Sequence, residues 1–308
     1  GRLEGVEGIA VTRFTVAAAQ YPIEALADWS SYAAKLGLWV ERAAAGGARL
    51  AVFPEYGAME LASLDPATMS DLAGSLEAVA ALVPRVDALH ADLAAQHGLH
   101  ILAASIPARL DDGRYVNRAR LFTPGGGVGI QDKLVMTRFE REEWHVSASV
   151  PLRVFRTELG MIGVNICYDS EFPLLARAQV EAGMELLLVP SCTDSRHGYW
   201  RVRLGSQARA LEGQCFVVHS PTVGEAPWSP AVDVNRGAAA VYGPPDRGMP
   251  ADGVVAIGTM DAAQWVFAQI DLASVADLRA DGNVLNARHW AEQPGGSTLP
   301  PVEVVDLT

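Results

Sequence analysis

The Cys167 thiol lies at the predicted junction between a strand and a helix. The segment MIGVNICYDSEFP is apolar up to Cys167, and Pro173 then falls in the first turn of an expected helix. Backbone N–H groups at such a turn can lower the pKa of a thiol and can bind an oxyanion. A lone cysteine is more often inert packing, as we expect for Cys192 and Cys215, although Cys192 also follows a strand end and could line a pocket. Cys167 therefore becomes a candidate nucleophile only if other reactive groups accompany it.

Two charged side chains follow other strands in the same way. Glu55 comes directly after the apolar run that stops at Pro54, and Lys133 follows a short strand in IQDKLVMTRFEREEW. Taken alone, either residue is typical of a solvated surface, and so is the charged run 138–143. A carboxylate at the edge of a sheet can nevertheless face a cleft. Three strand ends that carry Glu, Lys and Cys indicate one shared site.

These three residue types meet the needs of one reaction. A thiol with a pKa of about 8.5 is a poor nucleophile at neutral pH, so Glu55 and Lys133 are expected to share the task of ionising Cys167. Thiolate attack on an amide carbonyl creates an oxyanion that needs hydrogen-bond donors, and losing one such donor costs about 3 kcal/mol in other enzymes. A single carboxylate would then serve as both acid and base, and burial that raised its pKa would assist it.

The elements that must position these groups alternate between apolar strands and amphipathic helices. Strands are predicted at 14–20, 49–55, 100–108, 115–123, 127–133, 152–158, 161–167, 185–191, 215–220 and 266–272. Helices are predicted from Glu24 to Gly46, within 71–97 with a division at Pro84, at 172–183 and at 199–213. Buried strands between helices indicate sheets covered by helices, while the hairpin at 115–133 indicates that the sheets are mixed. The prediction is an α/β fold in which two mixed sheets form a sandwich flanked by helices.

The composition of the chain favours a small-molecule partner. The chain has 308 residues, a net charge of −12 and a pI near 5, which argues against a nucleic-acid or anionic-membrane surface and favours a small molecule. Three scattered cysteines, with no export leader and no membrane span, fit a reducing cytoplasm. The seven histidines show no metal-ligand spacing, so neither a metal nor a cofactor is expected.

The chain shows no linker that would divide it. Residues 1–11 are predicted to be a loose extension or an expression remnant, and residues 12–308 a single domain. The Gly- and Pro-rich stretch 221–252 is interpreted as loops and hairpins over a site.

In these motifs the chain resembles the nitrilase superfamily of carbon–nitrogen hydrolases. The resemblance rests on FPEYG, DKLVMTRFERE and NICYDSEFP, and extends to YVNRARLF, VPSCTD, RARALEGQCFVV and VFAQIDL. It covers the chain from Thr12 to about Trp290. It implies a four-layer α-β-β-α sandwich, and a homodimer formed through helices near the site, here 172–183 and 199–213.

The resemblance also implies a role for each site residue. The family's general base and acid falls on Glu55, its oxyanion-stabilising lysine on Lys133 and its nucleophile on Cys167, with the backbone N–H of Tyr168 as a second oxyanion donor. A further family glutamate, which positions the substrate and holds the lysine, falls on Glu140. Because its spacing from the lysine varies within the family, the neighbouring residues Glu142 and Glu143 stay open as alternatives.

The residues after the nucleophile favour an amide over a nitrile as substrate. Nitrile-acting relatives commonly have Trp-Glu after the cysteine, whereas this chain has Tyr168-Asp169. Amidases of the family often carry an Arg before the Phe-Pro pair, where this chain has Glu171, and this departure argues against substrates bound through a carboxylate. Arg196 and Arg201 are alternative carboxylate anchors.

Nitrile hydrolysis and N-carbamoyl hydrolysis by the same site remain alternatives. A papain-like cysteine protease is less favoured, because the flanks of Cys167 do not match that family and no His has a claim to the thiol. An inactive binding homologue is also less favoured, because Glu55, Lys133 and Cys167 are all intact.

Overall fold

A computed structural model describes residues 11–149, 151–295 and 301 of the chain. Its strands are β1 (Arg13–Pro22), β2 (Ala48–Val52), β3 (His100–Arg109), β4 (Tyr115–Phe122), β5 (Val128–Asp132), β6 (Val146–Ser147), β7 (Val154–Thr157), β8 (Gly160–Val164), β9 (Leu186–Ser191), β10 (Phe216–Glu225), β11 (Val234–Asn235), β12 (Ala240–Tyr242), β13 (Val254–Ile257) and β14 (Gln264–Asp271). Its α-helices are α1 (Trp29–Ala45), α2 (Leu72–Ala80), α3 (Val83–His97), α4 (Arg138–Glu142), α5 (Pro173–Glu181), α6 (Arg196–Gly213), α7 (Leu272–Asp281) and α8 (Asn286–His289). Short 3₁₀ helices span Gly57–Leu64, Cys167–Glu171 and Trp290–Glu292.

The strands form two mixed halves of one sheet. The first half runs β5-β4-β3-β2-β1-β14, with parallel pairing between β1, β2 and β3 and antiparallel pairing elsewhere along that row. The second runs β7-β8-β9-β10-β12-β13, with β8, β9 and β10 parallel. The halves join where β1 ends beside β10, at Tyr21 opposite Thr222 and Pro22 opposite Val223. The two sheets predicted from the sequence are thus continuous through this junction.

Alternate residues of the first half face two different cores, as the two-residue period of a strand requires. Val16, Leu50 and Leu102 point into a cluster that also contains β8 and β9 residues of the second half. Their neighbours Ala17 and Ile101 point into another cluster, which contains apolar residues of α1 and α3. The predicted mixed α/β class is confirmed, and these clusters agree with the four-layer arrangement, which stays a prediction.

Differences from the sequence-based elements are local. Helix α1 begins at Trp29 rather than Glu24, because the Asp28 side chain caps it by accepting a 2.8 Å hydrogen bond from the Ser31 N–H. Strand β8 ends at Val164, so Cys167 begins a 3₁₀ helix instead of ending the strand. Helix α3 begins at Val83 with Pro84 in its first turn, which confirms the predicted division.

The predicted extension 1–11 lies outside the described residues except for Val11, and the single-domain assignment of residues 12–308 stays a prediction. Among the helices in the described part of the chain, none has the length and apolarity needed to cross a bilayer.

Helix α6 packs directly on the 3₁₀ helix that carries Cys167. A Cβ atom placed on Gly205 would lie 2.9 Å from the backbone carbonyl oxygen of Ser170, too close for either backbone to accommodate without a shift. Glycine at this position therefore permits α6 to support the nucleophile turn.

We predict that Gly205→Ala lowers the free energy of unfolding by about 1–3 kcal/mol, because the added methyl group overpacks this contact. Gly37→Ala in α1 is the matched control: its Cβ would meet no atom within 4 Å, so better helix propensity should stabilise the protein by up to about 1 kcal/mol. Urea unfolding of both variants measures the difference. Equal stability of the two would contradict the proposed contact.

Candidate active site

Three side chains predicted from the sequence meet at one edge of the sheet. Glu55 follows β2 and Lys133 follows β5, and the Lys133 Nζ lies 2.6 Å from Glu55 Oε1. The Glu55 carboxylate is also close enough to the Cys167 thiol for its charge to raise the pKa of that thiol. All three residues are at most 4% exposed. The structure thus brings together the predicted Glu, Lys and Cys in a buried setting.

A second carboxylate completes the surroundings of the ammonium. Lys133 Nζ also donates a 2.5 Å hydrogen bond to Glu140 Oε1. Thr137 fixes this glutamate through a capping box at the start of α4, in which its hydroxyl accepts from the Glu140 N–H while the Glu140 carboxylate accepts from the Thr137 N–H. Glu142 instead pairs with the exposed Arg138.

Glu140 is therefore the member of the three candidate glutamates that contacts the lysine. No hydrogen bond or ion pair of Glu143 with Lys133 occurs among the described residues.

The sequence did not single out several groups that hold this arrangement. Asn117 donates a 3.0 Å hydrogen bond to Glu55 Oε1, and the Tyr56 hydroxyl donates a 2.7 Å hydrogen bond to Glu140 Oε2. The polarity of Asn117 was only a weak signal, because Arg118 and Arg120 lie in the same strand β4, and its 0% exposure is known only from the structure. Tyr56 had no comparable signal, since its role depends on a residue far along the chain.

Hydrogen bonds to Asp169 connect the turn that contains Cys167 to the segment that follows Lys133. Its carboxylate accepts backbone N–H groups from Leu134 at 3.2 Å, Val135 at 2.8 Å and Ile166 at 3.3 Å. A carboxylate that bonds backbone groups on both sides fixes their separation. Cys167 and Lys133 are thereby held at a fixed separation, although they follow strands in different halves of the sheet.

Two site residues have left-handed backbone conformations. Cys167 has φ of +50° and Tyr56, directly after Glu55, has φ of +53°. Such conformations cost non-glycine residues about 1–3 kcal/mol and occur most often at functional sites. For Cys167 the turn is also held by Ser170, whose hydroxyl donates a 2.6 Å hydrogen bond to the Cys167 carbonyl.

Burial governs the protonation of the charged groups. Burial is the largest influence on Glu55 and raises its pKa, with Lys133 opposing and Glu140 reinforcing that effect. Burial would also raise the pKa of Glu140, but Lys133 and the surrounding hydrogen bonds bring it below its ordinary value. The two carboxylates raise the pKa of Lys133 well above its ordinary value although burial alone would lower it. Lys133 is therefore an ammonium, Glu140 a carboxylate, and Glu55 the group that can exchange a proton.

The thiol pKa moves opposite to the expected direction. Burial, followed by the Glu55 charge, raises the pKa of Cys167 well above its ordinary value, and Lys133 with the backbone N–H of Cys192 only partly opposes this. The favourable field of the turn is outweighed, because burial and the Glu55 charge both disfavour the thiolate. Cys167 thus rests as a thiol.

A cavity of about 540 Å³ opens onto the nucleophile. Cys167, Tyr168, Glu171 and Cys192 line it, whereas Glu55, Lys133 and Glu140 lie behind its wall. Of the thiol, the ammonium and the two carboxylates, the thiol is therefore the one that lines the cavity. The Tyr168 N–H, as the second residue of a helix, has no acceptor within that helix and is available to an oxyanion beside the thiol.

Several other residues line the cavity or lie in the core. Cys192 and Arg201 line the cavity, as does the 230–234 part of the predicted loop stretch 221–252, but Arg196 does not. Trp144 is buried and donates its indole N–H to the Leu72 carbonyl at 3.0 Å. In the part of the chain that the structure describes, no three His, Cys, Asp or Glu side chains are grouped as a metal site requires.

Sequence comparison identifies one family model and several curated proteins that match this chain. The family model "Carbon-nitrogen hydrolase" matches residues 15–280. The chain is 32% identical to the "Probable hydrolase YhcX" of Bacillus subtilis over 265 residues, which cover 86% of this chain and 51% of that protein. It is 29% identical to the Xenopus laevis "Omega-amidase NIT2-B" over 138 residues, 42% of this chain and 49% of that protein. The chain thus spans about half the length of these curated relatives.

Solved structures share the fold. Saccharomyces cerevisiae Nit3, a member of branch 10 of the nitrilase superfamily, superposes with a TM-score of 0.69 at 19% identity, over 90% of this chain and 96% of that chain. The amidase from Nesterenkonia sp. AN1, in complex with acrylamide, gives a TM-score of 0.66 at 19% identity, over 89% of this chain and 97% of that chain.

Proposed function

The chain belongs to the carbon–nitrogen hydrolase family, and from this premise we propose that it hydrolyses a non-peptide carbon–nitrogen bond in a small amide through a thioester on Cys167. One observation carries the proposal: the Cys167 thiol, at the wall of the cavity, is near enough to be influenced by the charge of a buried carboxylate that is itself bonded to a buried ammonium. That arrangement combines nucleophile, base and oxyanion donor.

The first half of the reaction moves one proton from sulfur to nitrogen. Glu55 accepts the Cys167 proton as the sulfur attacks the amide carbonyl, and the Lys133 ammonium and the Tyr168 N–H stabilise the resulting oxyanion. As the carbon–nitrogen bond breaks, Glu55 gives its proton to the leaving nitrogen, which departs as ammonia or an amine. The acyl group remains as a thioester on Cys167.

The second half returns the enzyme to its resting state. Water enters the cavity, Glu55 accepts its proton, and the resulting hydroxide attacks the thioester carbonyl. Collapse of this second oxyanion breaks the carbon–sulfur bond, and Glu55 returns the proton to sulfur. A buried carboxylate with a raised pKa suits both roles, because it is a stronger base than an ordinary carboxylate and its protonated form is present to donate to the leaving group.

Several relatives bear on the choice of substrate. The Nesterenkonia amidase has a structure that shows covalent addition of the acetamide moiety of fluoroacetamide at its active-site cysteine. Nitrile hydrolysis stays as a second candidate, since the Lupinus angustifolius "Bifunctional nitrilase/nitrile hydratase NIT4A" is 34% identical over 137 residues, 44% of this chain and 37% of that protein. N-carbamoyl hydrolysis would use the same steps. Tyr168-Asp169 after the nucleophile favours the amide.

We predict that Cys167→Ala abolishes ammonia release from amides. Glu55→Gln should reduce kcat/KM by at least about 100-fold, because it keeps the shape but removes the base. The matched control is Cys215→Ala, which makes the same change at a buried cysteine outside the cavity wall and should retain turnover. An ammonia assay across aliphatic amides, carbamoyl compounds and nitriles measures these effects, with amide turnover and little nitrile turnover expected. Undiminished ammonia release by Cys167→Ala would contradict the mechanism.

We further propose that a second copy of the chain covers one face of α6. Trp200, Leu204 and Leu211 are spaced by four and seven residues, so they lie along one stripe of the helix, and they are 46%, 60% and 42% exposed. Leu174 in the first turn of α5 is 68% exposed. Apolar stripes of this kind are uncommon on monomers and typical of homodimer interfaces.

Light scattering after gel filtration tests this assembly. We predict a dimer for the unmodified protein and a shift toward monomer for Leu204→Lys, because the substitution places a charge in the apolar interface. Val128→Lys is the control, since Val128 is 52% exposed on β5, away from this stripe. A monomeric unmodified protein, or a dimer unaffected by Leu204→Lys, would contradict the proposal.

A further inference from the structure

A second carboxylate of the cavity lies one short helix away from the nucleophile. Glu171 is the last residue of the 3₁₀ helix that Cys167 begins, and both residues line the cavity. At about 2 Å of rise per residue, the helix separates them by about 8 Å along its axis. A small extended molecule whose carbonyl sits at the thiol can therefore reach Glu171 with its other end.

This carboxylate lacks a satisfying partner. Its side chain is 23% exposed, and no group in the described part of the chain donates a hydrogen bond to it. The nearest cation is Arg201, whose Nε is 3.8 Å away and whose side chain is 62% exposed. That separation is too long for a hydrogen bond, and exposed ion pairs contribute little. Burial, the largest influence, raises the pKa of Glu171, with Arg201 and Lys133 opposing.

The remaining charges of the cavity do not favour an anion. Asp194 and Asp233 add two carboxylates to the lining. Arg138, the second guanidinium of the lining, is 89% exposed and bonds Glu142 at 2.9 and 3.0 Å. The cavity therefore presents three carboxylates against two guanidiniums, one of which is engaged outside.

We propose that Glu171 determines specificity by binding a positively charged group at the far end of the substrate. The substrate is then a short aliphatic amide whose chain ends in an ammonium or guanidinium group. The inference rests on the proposed amide hydrolysis at Cys167 and names its substrate class. A cation at this position supplies the hydrogen-bond donors that Glu171 lacks, and it replaces the water that Glu171 loses on burial.

Three amides of matched chain length test the proposal. The compounds δ-aminovaleramide, hexanamide and adipamic acid each carry four methylene groups and end in a cation, a methyl group and an anion. We predict the highest kcat/KM for δ-aminovaleramide and the lowest for adipamic acid. Glu171→Gln should lower the ratio of kcat/KM between δ-aminovaleramide and hexanamide about tenfold or more, as expected for loss of a charge-assisted hydrogen bond.

Arg201→Gln is the matched control, because it removes the competing cation and should raise the same ratio.

The proposal is overturned if δ-aminovaleramide is not preferred, or if Glu171→Gln lowers kcat/KM for all three amides equally. Absence of turnover with every amide would instead refute the proposed hydrolysis. In that event, calorimetric binding to the Cys167→Ala variant tests the inference separately. We expect n-pentylammonium to bind more tightly than n-pentanol, and to lose that advantage when Glu171→Gln is added. Equal binding of n-pentylammonium and n-pentanol to Cys167→Ala would overturn the inference.

Discussion

The site depends on charge balance around one buried ammonium. Lys133 is 1% exposed and lies between the carboxylates of Glu55 and Glu140. A buried ion is tolerated only when it is paired and hydrogen-bonded, and removing one partner commonly costs about 3–5 kcal/mol. Two carboxylates against one ammonium leave one excess negative charge. Burial and the Glu140 charge both raise the pKa of Glu55, which makes its carboxylate a stronger base than an ordinary one.

Much of the surrounding structure serves to maintain this balance. Asn117 and Tyr56 donate to the two carboxylates, and the capping box at Thr137 fixes the backbone that carries Glu140. Such donors favour the ionised carboxylates without adding a second cation. Burial and the retained negative charge of Glu55 therefore keep Cys167 protonated. Transfer of its proton to Glu55 and formation of the carbon–sulfur bond then belong to one step.

The reactive residues of the site could be predicted from the sequence better than the interactions that set their pKa values. Glu55, Lys133 and Cys167 could be found because each follows an apolar run, and strands of one sheet bring such ends together. The sequence-based reading left Glu140, Glu142 and Glu143 open, although among them only Glu140 has a Thr three residues before it in a capping-box pattern. The direction of the thiol pKa was not readable, because it depends on burial and on neighbours distant in the chain. The junction of β1 with β10 likewise depends on long-range register that periodicity does not encode.

The ionisation of Cys167 tests this account most directly. Thiolate absorbs in the ultraviolet, so a pH titration of the unmodified protein minus that of Cys167→Ala isolates the signal of this one residue. If burial and the Glu55 charge hold the proton on sulfur, the thiolate signal appears only well above pH 8.5, the approximate pKa of an ordinary thiol. A complete thiolate signal at neutral pH or below would show a preformed ion pair with Lys133 and would contradict the account.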